Sequence, residues 1–256
     1  MIELIFLGTG TSQGVPLIGC QCEVCESNDD KDKRLRSSVL VRTLKTTIVV
    51  DTGPDFRQQM LREKVNQLDA VLFTHEHKDH IAGLDDIRAY NFILKKKMPV
   101  YANARVIKAL EREFHYIFHD EKYPGVPEIE IHEININGFI IGDIQILPVE
   151  VMHYKLPVYG FVFNKKIAYI TDANYISESE KDKLKNLDVL ILNALRREKH
   201  ISHFTLNEAI ELIQELKPQK AYLTHISHQL GKHEAVSKEL PENIFLAYDG
   251  LSIVIE

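Results

Sequence analysis

The chain has 256 residues, of which 45% are hydrophobic and 27% charged, as in ordinary globular proteins that fold around a buried core. Its formal net charge of -6, from 31 basic and 37 acidic side chains, argues against a general nucleic-acid-binding protein. No apolar run approaches the roughly 20 residues of a membrane-spanning helix, and the first residues do not resemble a signal peptide, so we expect a cytoplasmic protein without a membrane partner.

Strands and helices follow one another irregularly along the chain. Short runs rich in Val, Ile and Tyr predict strands at 2–7, 39–42, 46–50, 70–74, 99–101, 129–136, 144–151, 158–163, 167–170, 189–192, 221–224, 244–247 and 252–255. Apolar residues at three-to-four spacing predict helices at 55–63, 84–94, 104–114, 178–185, 206–216 and 232–240. Thr205 and Glu208 predict a capping box at the start of the helix at 206–216. The hairpin-like grouping of the strands predicts an α/β fold of two packed sheets with helices outside, in one domain over 1–256.

Four of the predicted strands lead to a residue that can bind metal. Apolar runs are followed, directly or after one threonine, by Asp51, His75, Asp172 and His225. Several strands that end at one rim of a sheet can gather such groups into one site. Each residue alone is also an ordinary turn residue, but the four together favour a shared site.

The segment 74–80, Thr-His-Glu-His-Lys-Asp-His, holds three histidines and two carboxylates in seven residues. Neutral imidazole is the commonest ligand for zinc and its neighbours, and a carboxylate can complete or bridge such a site. His75 and His77 can face one point from an extended segment, while Asp79 and His80 can face a second point close by. The spacing therefore predicts two metal ions; the alternative is a polar turn that happens to be rich in histidine.

A second candidate metal site lies in the loop at 19–26. Cys20, Cys22 and Cys25 are too close together and too odd in number for a disulfide framework. Their spacing is typical of a structural zinc site that lacks one ligand, and His228 is a candidate for the fourth. The alternative is three buried or redox-active thiols. With His228 as a ligand, this zinc would brace the loop that carries His225.

The motif at 75–80 resembles the signature of the metallo-β-lactamase superfamily, His-x-His-x-Asp-His, and it follows a buried strand as in that family. The resemblance continues along nearly the whole chain, with His153 after a long strand and then Asp172 and His225 at strand ends. It implies an αββα sandwich of two packed mixed β-sheets with helices on the outer faces. It also implies a site for two divalent metal ions at one edge of the sandwich.

The same resemblance implies which residues hold each ion. One ion would be bound by His75, His77 and His153, and the other by Asp79, His80 and His225, with Asp172 bridging the two. Two such ions lower the pKa of bound water toward about 7, which supplies a hydroxide nucleophile for hydrolysis. Zinc and manganese both suit these ligands. Two roles stay open for Asp51, an orienting partner of a ligand histidine or a cap of the following turn.

Three features narrow the resemblance to the PhnP-type phosphodiesterase branch: the glycine-rich segment 7–12, the cysteine segment, and the spacing of His225 and His228. That branch implies hydrolysis of a small or cyclic phosphodiester similar to phosphoribosyl cyclic phosphate. The segment 195–204 resembles its catalytic-histidine loop. It implies His203 as the general acid to the leaving oxygen, with His200 as the alternative and Asp79 as a further catalytic residue.

Two other functions are compatible with the sequence. A tRNA 3′-processing endoribonuclease of the same fold matches the metal motif, but such nucleases carry a flexible basic arm that we do not find between 154 and 195. The other is a catalytically silent metal-binding protein, although every expected ligand position is filled. We expect a small phosphodiester as the partner. The sequence leaves the oligomeric state open, with a homodimer as the commonest closed assembly.

Overall fold

Two seven-stranded β-sheets form the centre of the structure, a computed structural model that describes residues 1–119 and 123–256. In chain order the strands are β1 (Ile2–Gly8), β2 (Ser38–Arg42), β3 (Thr47–Val50), β4 (Ala70–Leu72), β5 (Met98–Ala102), β6 (Ile129–Glu133), β7 (Phe139–Ile141), β8 (Ile144–His153), β9 (Leu156–Phe163), β10 (Ile167–Ile170), β11 (Val189–Asn193), β12 (Lys220–Thr224), β13 (Ile244–Leu246) and β14 (Ser252–Ile255). The first sheet has the strand order β14-β1-β2-β3-β4-β5-β6, and the second has the order β13-β12-β11-β10-β9-β8-β7.

The two sheets have the same plan. In the first, β14, β1, β2 and β3 pair antiparallel, and β3 to β6 pair parallel. In the second, β7 to β10 pair antiparallel, and β10 to β13 pair parallel. Both sheets are therefore mixed, which confirms the predicted sheet type.

The α-helices cover the outer faces of the sheets. Among the described residues they are α1 (Phe56–Arg62), α2 (Lys78–Ile81), α3 (Arg88–Leu94), α4 (Ala104–Glu113), α5 (His115–Phe118), α6 (Glu178–Lys181), α7 (Leu206–Leu216) and α8 (His233–Ser237). Buried side chains of α1, α3 and α4 pack on the first sheet, and those of α7 and α8 pack on the second. This is the αββα sandwich that the resemblance implies. None of these helices combines the length and the apolar character that crossing a membrane requires.

The strands contribute to two cores at once, because successive residues of a strand point to opposite faces. In β1, Leu4 and Phe6 join the core between the sheets, whereas Ile5 and Leu7 face the helices. Tyr169 of β10 reaches the same inter-sheet core from the second sheet. The central strands are apolar on both faces, which explains why the sequence shows them as continuous hydrophobic runs.

The differences between predicted and observed elements fall where elements are short. The sequence does not predict β7, whose three residues lie between Gly138 and Gly142. The predicted helix at 178–185 is α6 followed by a 3₁₀ turn, Asp182–Leu184. The predicted strand at 129–136 is shorter in the structure and ends at Glu133, the last residue of β6. Of the predicted helix at 232–240, only α8, His233–Ser237, is α-helical. A single domain over 1–256 stays a prediction.

The strand directions bring the candidate site residues to one edge of each sheet. In the first sheet, β3 and β4 are parallel, and Asp51 and the 75–80 motif follow their C-terminal ends. In the second sheet, β8 runs in the same direction as β10 and β12. His153 ends β8, while Asp172 and His225 follow β10 and β12. The topology thus explains how residues far apart in sequence meet.

The start of α7 provides a test of local stability. The Thr205 hydroxyl accepts from the backbone N–H of Glu208 at 3.2 Å, and the Glu208 carboxylate accepts from the backbone N–H of Thr205 at 2.9 Å, as the predicted capping box requires. Thr205→Ala removes the hydroxyl, so we expect the free energy of unfolding to fall by about 1 kcal/mol in chemical denaturation. Thr205→Ser keeps the hydroxyl and should lose much less. Equal losses in the two variants would contradict the capping role.

Candidate active site

Three residues at strand ends have a left-handed backbone. Asp51, Asp172 and His225 have φ values of 64°, 55° and 55°. This conformation is uncommon outside glycine, and it persists where the surrounding structure holds it in place. Each of the three turns follows a buried strand, so the sheets fix where these side chains lie.

Asp51 is the centre of a buried hydrogen-bond network. Its carboxylate accepts from the backbone N–H of Thr74 at 2.9 Å, from the Thr74 hydroxyl at 2.8 Å and from Nδ1 of His80 at 2.7 Å. Burial raises the pKa of Asp51, although its contacts with His80 and Thr74 oppose that rise. These contacts favour an orienting role over a cap of the following turn, since the carboxylate fixes the ring of His80.

Three histidines have one ring nitrogen occupied by the protein and the other left as an electron-pair donor. Nδ1 of His80 donates to Asp51, and Nδ1 of His153 donates to the Ser202 carbonyl oxygen at 2.9 Å. The Thr74 hydroxyl gives its proton to Asp51, so it accepts from Nδ1 of His75 at 3.0 Å. Burial lowers the pKa of His75 and of His153, which favours the neutral imidazole that binds metal. In all three rings Nε2 is therefore the atom that can bind a cation, and Nε2 of His75 already lies 3.0 Å from Nδ1 of His77, another candidate ligand.

Asp172 lies where the candidate ligands converge. Four groups of candidate ligands lie at or beside Asp172, and within each group the ligand atoms lie within 4.8 Å of one another. The groups are His75, His77 and His153; His75, His80 and Asp172; His153, Asp172 and His203; and Asp79, Asp172 and His225. Asp172 therefore belongs to three of the four groups. A carboxylate at such a junction has the position of a ligand shared between two ions.

His80 provides a test of whether divalent ions fit this centre. Its Nε2 is buried and lacks a hydrogen-bond partner among the described residues, yet carboxylate oxygens of Asp79 and Asp172 lie 3.1 and 3.3 Å away. Burial opposes protonation of His80, but the carboxylates of Asp79, Asp172 and Asp51 raise its pKa well above the usual value. A site that stabilises positive charge in this way also favours a metal cation. The donor set of imidazoles and carboxylates fits zinc or manganese.

The segment 195–204, which carries His200 and His203, reaches the same centre. Nε2 of His203 lies 3.1 Å from an oxygen of Asp172, and Nδ1 of His203 lies 3.1 Å from Nδ1 of His200. The Ser202 hydroxyl lies within hydrogen-bond distance of both rings. His203 thus contacts the convergence point directly, whereas His200 lies behind it. The group of His203 with His153 and Asp172 also makes His203 geometrically competent as a ligand.

The three cysteines and His228 form a separate cluster, with ligand atoms within 4.8 Å of one another. Nδ1 of His228 lies 3.5 Å from Sγ of Cys20 and 3.3 Å from Sγ of Cys22. The contact with His228 lowers the pKa of Cys22 to about 6, whereas burial raises the pKa of Cys25 to about 11. A thiol ionised near neutral pH is suited to binding zinc. The structure therefore brings the four predicted ligands together.

The seven predicted ligands of the two-ion centre likewise meet in one place, and their binding of metal stays a prediction. Two further residues contribute contacts that the sequence does not reveal. Ser202 orients His153 through its backbone carbonyl, so its side chain gives no signal. Ser37 lies 3.1 Å from Nδ1 of His225 through its hydroxyl, and only its place just before β2 could have drawn attention to it.

Comparisons with known proteins agree with this geometry. A family model described as a beta-lactamase superfamily domain matches residues 46–226. An octanoyltransferase of Porphyromonas gingivalis is 39% identical over 258 residues, which cover 100% of this chain and 52% of that protein. An exodeoxyribonuclease of Bacillus anthracis is 29% identical over 143 residues, which cover 54% of this chain and 48% of that protein. The chain spans about half the length of these curated relatives, so their names describe proteins with much unmatched sequence.

Solved structures extend the comparison. The crystal structure of a diphosphatase from the PhnP family has a TM-score of 0.93 and 39% identity, and the match covers 100% of this chain and 98% of that one. Zinc-bound PqqB from Methylobacterium extorquens has a TM-score of 0.81 at 19% identity, with 99% of this chain and 100% of that one covered. Human tRNase Z, short form, has a TM-score of 0.74 at 18% identity, with 99% of each chain covered. The last two similarities show a shared fold alone.

Removal of one thiol tests the cysteine cluster. We expect Cys22→Ser to lower the zinc content by about one ion per chain and to lower the melting temperature, because metal binding stabilises a folded site. Elemental analysis and thermal unfolding measure the two effects. His77→Ala is the matched control, since it removes a candidate ligand of the other centre and should leave the cysteine-bound zinc in place. A Cys22→Ser variant with full zinc content and unchanged melting would rule out the structural zinc site.

Proposed function

Because the chain belongs to the beta-lactamase superfamily, and within it to the PhnP family, we propose that it is a binuclear metal-dependent phosphodiesterase. The single observation that carries this proposal is the position of Asp172, which is common to three groups of convergent ligand atoms. A carboxylate so placed can bridge two divalent ions, as in the two-metal sites of phosphatases and nucleases. The similarity to a PhnP-family diphosphatase supports hydrolysis at phosphorus.

The proposal assigns the seven predicted ligands to two ions. His75, His77 and His153 would hold one ion, and Asp79, His80 and His225 would hold the other, with Asp172 as the shared ligand. When bound, two such ions supply an ionised water near neutral pH and stabilise negative charge on the phosphoryl oxygens. Zinc and manganese both suit the site, and the cysteine cluster would hold one structural zinc.

The reaction requires one proton donor from the chain. Hydrolysis forms a bond from phosphorus to the oxygen of water and breaks the bond from phosphorus to the leaving ester oxygen. The water gives up a proton, and the leaving oxygen takes one up. His203 is our candidate for the donor, since its Nε2 lies 3.1 Å from Asp172 and thus borders the reacting centre. His200 contacts His203, so we assign it a positioning role, while Asp79 acts as a metal ligand.

Two features support a small substrate over a nucleic acid. The chain carries a net charge of -6, which disfavours binding of a long polyanion. The residues between 154 and 195 form β9, β10, α6 and β11, without a flexible arm in this described stretch. The exodeoxyribonuclease relative favours a second candidate, hydrolysis of phosphodiester bonds in DNA.

Turnover of bis(p-nitrophenyl) phosphate tests the proposed activity. After the protein is stripped of metal, we expect reloading with zinc or manganese to restore hydrolysis. His77→Ala removes a candidate ligand and should lower kcat/KM by roughly 100-fold or more. His115→Ala, at an exposed position of helix α5, is the matched control and should have no effect.

Two outcomes would change the assignment. If a protein shown to hold two ions at this centre hydrolyses neither the diester nor a DNA oligonucleotide, the phosphodiesterase proposal is wrong and a silent binding protein is favoured. If the DNA oligonucleotide is hydrolysed far faster than the small diester, the second candidate replaces the first.

The proton donor can be tested by the choice of leaving group. A weakly basic leaving group such as p-nitrophenolate departs without protonation, whereas an alkoxide needs a proton. We expect His203→Ala to slow a diester with an alkyl leaving group by about 100-fold or more, and a p-nitrophenyl ester by less than about tenfold. His200→Ala should have a smaller version of the same pattern. Equal loss on both esters would remove His203 from the donor role.

A further inference from the structure

A pocket of about 430 Å³ opens beside the candidate metal centre. His77 and His153 of the candidate centre line it, together with Tyr154, Leu156, Ile201 and neighbouring residues. Tyr154 and Ile201 are large side chains that are 49% and 63% exposed. The volume lies within the range of small-molecule sites, and two of its walls are candidate ligands, so whatever occupies it would lie next to the reacting phosphorus.

The backbone of Tyr154 sets this pocket apart from ordinary surface. The strands β8 and β9 pair as far as His153 and Leu156, which leaves Tyr154 and Lys155 as a two-residue turn. Tyr154 has a φ of 59°, where such a turn normally carries glycine or asparagine. A bulky residue in this conformation is a real outlier, and such outliers cluster at functional sites.

The other left-handed residues make this outlier more informative. Among the described residues, eleven non-glycine residues have a positive φ. Seven of them follow helices or lie at or beside an asparagine: Lys64, Lys95, Asn164, Lys165, Asn186, Lys217 and Asn243. The remaining four are Asp51, Asp172 and His225 of the metal centre and Tyr154. Tyr154 thus shares its backbone conformation with the candidate site residues.

The turn is held rigidly against the segment that carries Asp172. The backbone N–H of Tyr154 donates to the Asn174 side-chain oxygen at 2.7 Å. The backbone N–H of Asn174 donates to the Met152 carbonyl at 2.8 Å, and that of Met152 donates to the Tyr175 carbonyl at 2.9 Å. These bonds fix the position of Tyr154 relative to the centre. A tyrosine here has no evident structural advantage over glycine.

The pocket is also suited to negative charge. Nζ of Lys155 lies 5.3 Å from the centre of the Tyr154 ring, close enough for a cation–π contact. Among the described residues, no carboxylate lines the pocket itself. A cation beside an aromatic ring, next to a phosphoryl-transfer centre, matches the chemistry of a phosphoric ester that carries a planar ring.

We propose that this pocket binds a planar aromatic or heteroaromatic substituent of the substrate, with Tyr154 as the stacking surface and Lys155 as the partner of the negative charge. This inference rests on the proposed phosphodiesterase function and specifies its substrate class. Tyr154 is thereby a specificity-determining residue. The ring could belong to an aryl group or to a nucleoside base, and the experiment separates these sources.

The test compares three esters with the same leaving group: bis(p-nitrophenyl) phosphate, thymidine 5′-(p-nitrophenyl phosphate) and methyl p-nitrophenyl phosphate. The leaving p-nitrophenyl ring is common to all three, so only the substituent that stays on phosphorus differs. We expect Tyr154→Gly to lower kcat/KM for at least one ester whose retained substituent carries a ring, about fivefold or more beyond its effect on the methyl ester and chiefly through KM. Glycine suits the local φ, so this variant should fold and hold its metal, which elemental analysis checks. Tyr154→Phe should restore the preference. Lys155→Gln should raise KM equally for all three esters.

The controls distinguish a failure of the pocket inference from a failure of the proposed phosphodiesterase function. Lys165→Gly relieves a positive φ in a hairpin turn away from the site and should leave the preference unchanged. If Tyr154→Gly keeps the full preference of the wild-type protein, the inference is wrong while the function stands. If the wild-type protein hydrolyses none of the esters, the function fails. Equilibrium binding of phenylphosphonate against methylphosphonate then tests the pocket itself, and equal affinities in the wild type and Tyr154→Gly would reject it.

Discussion

The buried carboxylate of Asp172 is the constraint on which the rest of the centre depends. A negative charge away from water is stable only when cations or hydrogen-bond donors surround it. Although burial opposes its ionisation, His225, His80 and His203 hold the pKa of Asp172 well below its usual value, at distances of 3.1 to 3.3 Å. His80 follows β4, His203 precedes α7 and His225 follows β12. Asp172, His203 and His225 come from the half with the second sheet and His80 from the half with the first, so the charge is fully compensated only when both sheets have packed together.

The sheets make such a convergence possible because they hold the chain rigid up to the point where it turns. Buried strands hold the backbone in place up to their last residues, and the left-handed turns at Asp51, Asp172 and His225 then fix the direction of each side chain. Outer contacts complete the alignment, with Thr74 and Ser202 occupying the ring nitrogens that face away from the centre. The backbone turns thus place the site residues, and side-chain hydrogen bonds then fix the orientation of the histidine rings.

The sequence predicts the parts of this arrangement that depend on local pattern. Buried strands appear as apolar runs, the capping box at Thr205 has a fixed spacing, and the 75–80 motif places its ligands within six residues. Contacts that depend on tertiary packing leave no such pattern. Ser202 acts through a carbonyl that every residue possesses, and Tyr154 is unusual only in its φ value. The strand β7 is too short for periodicity to mark it.

The segment after β12 connects the cysteine loop to the candidate two-ion centre. The backbone N–H of Ile226 donates to the Thr9 carbonyl at 2.9 Å, and His228, two residues later, contacts the thiols of Cys20 and Cys22. The loop has a small apolar core, of which Val15 and Val24 are the buried aliphatic members. So small a core stabilises a loop only weakly, whereas an ion bound by the four convergent ligands would stabilise it strongly. Under the proposed function, the position of His225 would therefore depend on ligands that take no part in the reaction.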